Sequence, residues 1–140
     1  DPHATHVMYT SGVPIVAMPL DVTHKALMSA DWIQSVGAIG GDIGTTIVAM
    51  LSFYERYDME RYGDDGGPLH DPATIAYLLQ PDLYRGKDVH VQIETQSELT
   101  MGMTVVDYWH ATGQPPNCKW ISEVDSSGFF TLLHERLSNL

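Results

Sequence analysis

Three observations predict an α/β fold with an antiparallel strand pair late in the chain. The run Val13-Pro14-Ile15-Val16-Ala17-Met18 is apolar without polar alternation, which suits a strand covered on both faces. Ile43, Ile47, Val48, Leu51 and Tyr54 recur at helical spacing and define a long amphipathic helix. Val89, Val91 and Ile93 alternate with His90, Gln92 and Glu94, the period of a half-exposed strand.

The remaining elements follow from local signals. Asp1-Pro2 reads as N-cap then first turn of a helix that carries Ala4, Val7 and Met8 inward and stops at Ser11-Gly12. After the apolar run, Leu20 to Lys25 reads as a connection. A helix is expected after Ser29, with Trp32, Ile33 and Val36 inward, broken at Gly40-Gly41. The amphipathic helix then runs toward Tyr57 and Tyr62, and Gly63 to Pro68 carries every turn signal. Asp71-Pro72 starts another helix, with Ile75, Leu78 and Leu79 on its apolar side, and Gln80-Pro81 closes it. Met101 to Tyr108 reads as a second strand and Lys119 to Val124 as a weaker third. Ser126-Ser127-Gly128 leads into a terminal helix with Phe129, Phe130, Leu133 and Leu137 inward.

At 140 residues the chain is one domain at most, or part of a larger one. With 44% hydrophobic residues it can build a real core. Eighteen acids against seven bases give a net charge of −11. That balance argues against nucleic acid polymers and anionic membranes as partners and suits a protein that collects cations. The lone cysteine, Cys118, excludes an internal disulfide and a cysteine metal cluster, so a reducing, cytoplasmic setting is expected. No apolar run approaches the roughly 20 residues of a membrane span. Asp1-Pro2-His3-Ala4 has neither the basic region nor the apolar core of a signal peptide and lacks an initiator methionine, so the chain is expected to begin after processing, after cloning or inside a longer polypeptide.

The residues most able to carry chemistry lie in Gly66-Gly67-Pro68-Leu69-His70-Asp71-Pro72. Asp at an N-cap followed by Pro is a common way to begin a helix with no function implied. His70, ahead of that cap and behind a glycine-rich acidic loop, is less easily explained by structure alone. An imidazole there could protonate a leaving group. Tyr54 and Tyr57, three apart, share a helical face that could be core or an aromatic wall against a planar ligand. His24 could approach a site or sit in a plain loop. His3, His6, His90, His110 and His134 read as surface residues, and no pair has zinc spacing. Asp64-Asp65 reads as a solvated loop without the alternating ligands of an EF-hand.

Together these segments resemble the C-terminal part of a nucleoside hydrolase of the inosine–uridine-preferring family. The matching stretches are Gly12 to Ile15 through Pro19-Leu20-Asp21-Val22-Thr23-His24, then Pro68 to Pro72, Met103 to Asp107, and Val124 to Phe130. The resemblance implies the C-terminal part of an open sheet with flanking helices, the whole chain (1–140) being one portion of a single hydrolase domain. It implies hydrolysis of the N-glycosidic bond of a ribonucleoside, with one calcium ion as cofactor, a ribonucleoside as substrate and a homo-oligomer as the assembly. It assigns Asp71 as a calcium ligand, His70 as the histidine facing the leaving base, and Tyr54 and Tyr57 as residues closing over that base.

One departure is large. The family's aspartate-rich N-terminal motif, which supplies most calcium carboxylates and the general base, does not occur in these residues. Calcium takes about six to eight oxygens and Asp71 offers one or two. The chain alone is therefore expected to be inactive, and an exposed sheet edge and face should invite a partner. Two other readings stand beside the enzyme portion: a non-catalytic interaction module of the same fold, and a protein that binds a base at Tyr54 and His70 without cleaving it.

Overall fold

The computed structural model describes residues 1–62 and 66–140, with side chains at all of them except 54–62. Its elements are α1 (Pro2–Thr10), β1 (Val16–Ala17), α2 (Leu20–Thr23), α3 (Ala30–Ala38), α4 (Gly41–Tyr62), α5 (Asp71–Leu79), β2 (Tyr84–Ile93), β3 (Thr104–Asp107), β4 (Cys118–Val124) and α6 (Ser126–Leu137). A 3-10 turn at Pro81–Leu83 leads into β2. The expected α/β class and the late antiparallel pair are both present. The chain divides into two compact units, Asp1–Pro19 with Gly86–Ser122, and Leu20–Arg85 with Glu123–Leu140.

The first unit holds the body of a four-stranded sheet ordered β1-β4-β2-β3. β1 pairs parallel with β4, and β2 pairs antiparallel with β3 through His90 to Ile93. Val89, Val91 and Ile93 are buried as their alternation predicts, and they pack with Tyr9 and Cys118. Asn117 fastens this layer: its amide accepts from Val91 N–H at 2.8 Å and donates to the carbonyls of Val91 and Tyr9. Burial, and then the neighbouring Cys118, push the Tyr9 hydroxyl up to about 12.

Two expectations for this unit are corrected. α1 does begin on an Asp1 cap, whose carboxylate accepts from Ala4 N–H. However, Tyr9 is its buried residue, while Val7 and Met8 are 64% and 43% exposed and Ala4 is exposed too. No described element of this unit covers the stripe bearing Val7 and Met8. The apolar run 13–18 yields a strand of only two residues, with Val13 and Val16 exposed. β1 ends the sheet order with β4 as its one neighbour, and the exposure of Val16 shows that one of its faces lacks the cover its composition suggests.

The second unit is helical. Ser29 caps α3 through Trp32 N–H, and Ile33 and Val36 are buried as expected. α3 packs on α4 and α6, and α6 also packs on α5. Trp32 anchors α3 to α6, donating its indole N–H to the Phe130 carbonyl at 3.0 Å with the two rings 4.8 Å apart. α6 buries Phe129 and also Leu132, which its predicted face omitted; Phe130, Leu133 and Leu137 are half-buried. Packing against two helices widens the covered stripe. The predicted connection at 20–25 contains α2, whose Val22 and Thr23 are buried.

α5 departs most from expectation. Ile75, Leu78 and Leu79 are 57%, 76% and 52% exposed, and the packed face is Ala73 and Ala76. Small side chains let this helix lie close to its neighbours, whereas the large ones point where no described element of the unit covers them. Asp71 is also not the cap. His70 occupies that position in a right-handed helical conformation without a side-chain capping bond, and Asp71 is the first helical residue.

Tyr84 brings an unusual buried group to this core. Its ring lies edge-on to Tyr77 at 5.7 Å, and among the described residues its buried hydroxyl finds no hydrogen-bond partner. Burial pushes that hydroxyl up to about 12. An unsatisfied buried hydroxyl costs about 1–3 kcal/mol in lost hydration. Tyr84→Phe removes the group and keeps the ring, so urea denaturation should show unchanged or raised stability. A loss above about 1 kcal/mol would mean that the hydroxyl makes a bond in solution.

Candidate active site

His70 is positioned from the backbone outward. Residues 26–28 and 67–69 form a short antiparallel bridge, with Leu27 opposite Pro68. Met28 N–H donates to the Gly67 carbonyl at 3.0 Å, and Leu69 N–H donates to the Ala26 carbonyl at 3.4 Å. The bonds come from residues flanking Pro68, so its missing N–H costs nothing there. Gly66 makes the approach possible. Its φ is +85°, and a Cβ there would overlap the Met28 carbonyl oxygen, so glycine alone fits.

The bridge delivers His70 onto the end of α2. His70 Nδ1 lies 2.7 Å from Thr23 Oγ1, and Thr23 is only 2% exposed. The His24 ring sits beside His70, centroids 5.5 Å apart and tilted by 39°. His70 itself is half-buried and lines an open hollow of about 340 Å³ with Met50, Leu51, Pro68, Leu69, Asp71 and Pro72. Asp71 is exposed at the start of α5, where the helix dipole favours its negative charge. A larger hollow of about 570 Å³, lined mainly by Trp32, Ile47, Leu51, Ile75, Leu133 and Leu137, also reaches Asp71 and is almost wholly apolar. The arrangement offers an apolar floor, an oriented imidazole and a carboxylate, all on one helix start.

The structure brings His70 and Asp71 to the same hollow. Tyr54 and Tyr57 fall on α4, but their side chains lie outside the described residues, as does the Asp64-Asp65 loop. His3 and His6 are exposed on α1, and His110 is exposed in a turn with φ +56°. Two histidines read as surface residues are not wholly so. His90 is half-buried with Nδ1 against the Pro115 carbonyl at 2.9 Å, and His134 is half-buried with Nε2 against the Ser35 carbonyl at 3.3 Å.

Sequence reasoning missed Thr23 and left His24 undecided. The signal available was Thr23-His24 inside an otherwise apolar approach to the next helix, but nothing local shows that position 23 meets position 70. Two carboxylates with shifted equilibria are turn formers. The Thr112 hydroxyl and N–H hold Asp107 low, and the N–H groups of Gln96 and Ser97 hold Glu94 low.

A metal has few ligands here. Among the described residues no three His, Cys, Asp or Glu side chains converge. Asp71 provides at most two oxygens where calcium takes about six to eight. The described residues do not by themselves fit a calcium ion.

A histidine and a carboxylate thus stand side by side at a helix start, next to a largely apolar hollow. The chain belongs to the inosine-uridine preferring nucleoside hydrolase family, whose model matches residues 1–131. It is 49% identical to an uncharacterized protein of Schizosaccharomyces pombe over 140 residues, which are 100% of this chain and 45% of that one. It is 47% identical to the pyrimidine-specific ribonucleoside hydrolase RihA of an Enterobacter species, covering 99% of this chain and 44% of that one. Among solved structures, a plant nucleoside hydrolase superposes with a TM-score of 0.87 at 26% identity, covering 100% of this chain and 46% of that one. A purine-preferring ribonucleoside hydrolase from Gardnerella vaginalis shares the fold, with a TM-score of 0.87 at 24% identity over 99% of this chain and 44% of its own. The chain thus spans less than half the length of the relatives it matches.

The Gly66 constraint is directly testable. Gly66→Ala puts a Cβ into the Met28 carbonyl and a side chain on a left-handed φ. It should cost about 1–3 kcal/mol in urea denaturation. Unchanged stability would mean that the bridge between 26–28 and 67–69 does not hold in solution.

Proposed function

We propose that this chain supplies the base-facing, C-terminal portion of a ribonucleoside hydrolase, one part of a single domain whose aspartate-rich part lies elsewhere in a longer protein. The reaction is cleavage of the N-glycosidic bond to ribose and a free base. The observation that carries the reading is His70, held at Nδ1 by Thr23 and lining a hollow beside Asp71, in a chain that belongs to a nucleoside hydrolase family.

The roles follow from chemistry. The departing base leaves with developing negative charge, and a general acid at hydrogen-bond reach lowers that barrier. His70 fills this role from the nitrogen that Thr23 does not occupy. Met50, Leu51 and Pro68 give an apolar wall suited to a flat heterocycle. Tyr54 and Tyr57 are assigned to stacking on the same base. Asp71 is assigned as one calcium ligand, its partner carboxylates coming from the other part of the protein; the ion would supply ribose binding and water activation. His70 and Asp71 are then adjacent in sequence but serve opposite ends of the substrate. Because the carboxylate set is incomplete here, residues 1–140 alone are assigned no turnover.

A second reading is favoured by a specific observation. The exposed Ile75, Leu78 and Leu79 on α5 form an apolar stripe of the kind that marks an interaction surface. In the enzyme reading the remainder of the protein or a second copy covers it; in the alternative it is the functional surface of a non-catalytic module. No described helix is long and apolar enough to cross a membrane, and a reducing cytoplasmic setting is the proposed location.

Ribose release, measured with residues 1–140 joined to the complementary aspartate-bearing portion, separates these readings. Activity is expected. His70→Ala should lower kcat by roughly 10²–10⁴-fold, the usual contribution of a general acid, while KM stays within a few-fold. Asp71→Ala should abolish calcium-dependent turnover. Full activity in both variants would remove the assignments, and an inactive joined protein would favour the interaction module.

A further inference from the structure

We propose that Thr23 is the positioning residue for His70, fixing the imidazole so that Nε2 is the ring atom presented to the substrate base. The inference rests on the hydrolase reading and deepens it. Thr23 ends α2, is 2% exposed, and places Oγ1 2.7 Å from Nδ1. The two ring nitrogens point well away from each other. An Nδ1 tied to a buried hydroxyl therefore turns Nε2 away from Thr23, and the half-buried ring that carries it lines the hollow shared with Met50, Leu51 and Asp71.

The Thr23 oxygen is placed to accept from Nδ1–H, which keeps the proton of the neutral ring on Nδ1 and leaves Nε2 as the nitrogen that meets the substrate. When the imidazolium gives its Nε2 proton to the departing base, Nδ1–H stays bonded to Thr23 Oγ1. The ring then needs no reorientation during transfer, and orientation of this kind carries a large share of catalytic effect. His24, with its ring centroid 5.5 Å from that of His70, closes one flank and limits where the imidazole can swing.

The test uses Thr23→Val, which keeps the buried volume but lacks the hydroxyl, and Thr23→Ser, which keeps the hydroxyl. In nitrogen-correlated NMR above the ordinary histidine range, His70 of the unaltered protein should show one tautomer in slow or no exchange. Thr23→Val should show averaged ring nitrogens, and Thr23→Ser the parent pattern. In the joined protein, Thr23→Val should lower kcat roughly tenfold with KM within about twofold, and Thr23→Ser should stay within about threefold of the parent. An averaged ring in the parent, or a Thr23→Val protein with the parent's spectrum and kcat, would overturn the proposal. A parent that releases no ribose yet shows the locked ring would instead sink the hydrolase reading and leave the Thr23 lock intact.

Discussion

Two backbone hydrogen bonds, from Met28 to the Gly67 carbonyl and from Leu69 to the Ala26 carbonyl, fix the geometry on which this site depends. They join the segment after α2 to the segment before α5, which are some forty residues apart in sequence. Once they form, Thr23 and His70 meet, the rings of His24 and His70 lie side by side, and α5 begins with its carboxylate at the rim of the hollow. Gly66 is the condition for the bonds, because any other residue would strike the Met28 carbonyl. The placement of His70 is therefore set less by its own neighbours in sequence than by a long-range pairing that a single glycine permits.

Much of the fold was legible in local pattern. The Ser29 cap, the helix across Ile43 to Leu51 and the alternating strand through Val89 and Ile93 all formed where their periodicities predict. The failures have one physical cause. Val7, Met8, Val16, Ile75, Leu78 and Leu79 are apolar at the right spacing, yet the structure leaves them exposed. Apolar periodicity reports which face a residue would bury; it does not report whether the covering element is among the residues at hand. In a chain that spans less than half of its relatives' length, that distinction matters most for α1, β1 and α5.

The site was legible in the same uneven way. His70-Asp71-Pro72 stands out in sequence because an imidazole beside a helix start is chemically conspicuous. The helix cap itself was misassigned, since His70 takes the cap position and frees the Asp71 carboxylate from capping duty. A carboxylate satisfied by backbone N–H groups is a poorer metal ligand, and the role proposed for Asp71 does not meet that competition. Thr23 could not be found locally. Its contact with His70 exists only across the bridge, and a buried threonine at a helix end is ordinary until its partner is known.

Charge and coordination together define what the chain lacks. A net charge of −11 favours cations, yet among the described residues only Asp71 stands at the hollow as an acidic group and no metal-binding cluster forms. The central claim is that these residues hold the base-facing part of a hydrolase site and one carboxylate of its metal site. Calorimetric titration of calcium into residues 1–140 alone tests it most directly. The expected result is no saturable binding at micromolar calcium; a tight one-to-one isotherm would contradict the claim.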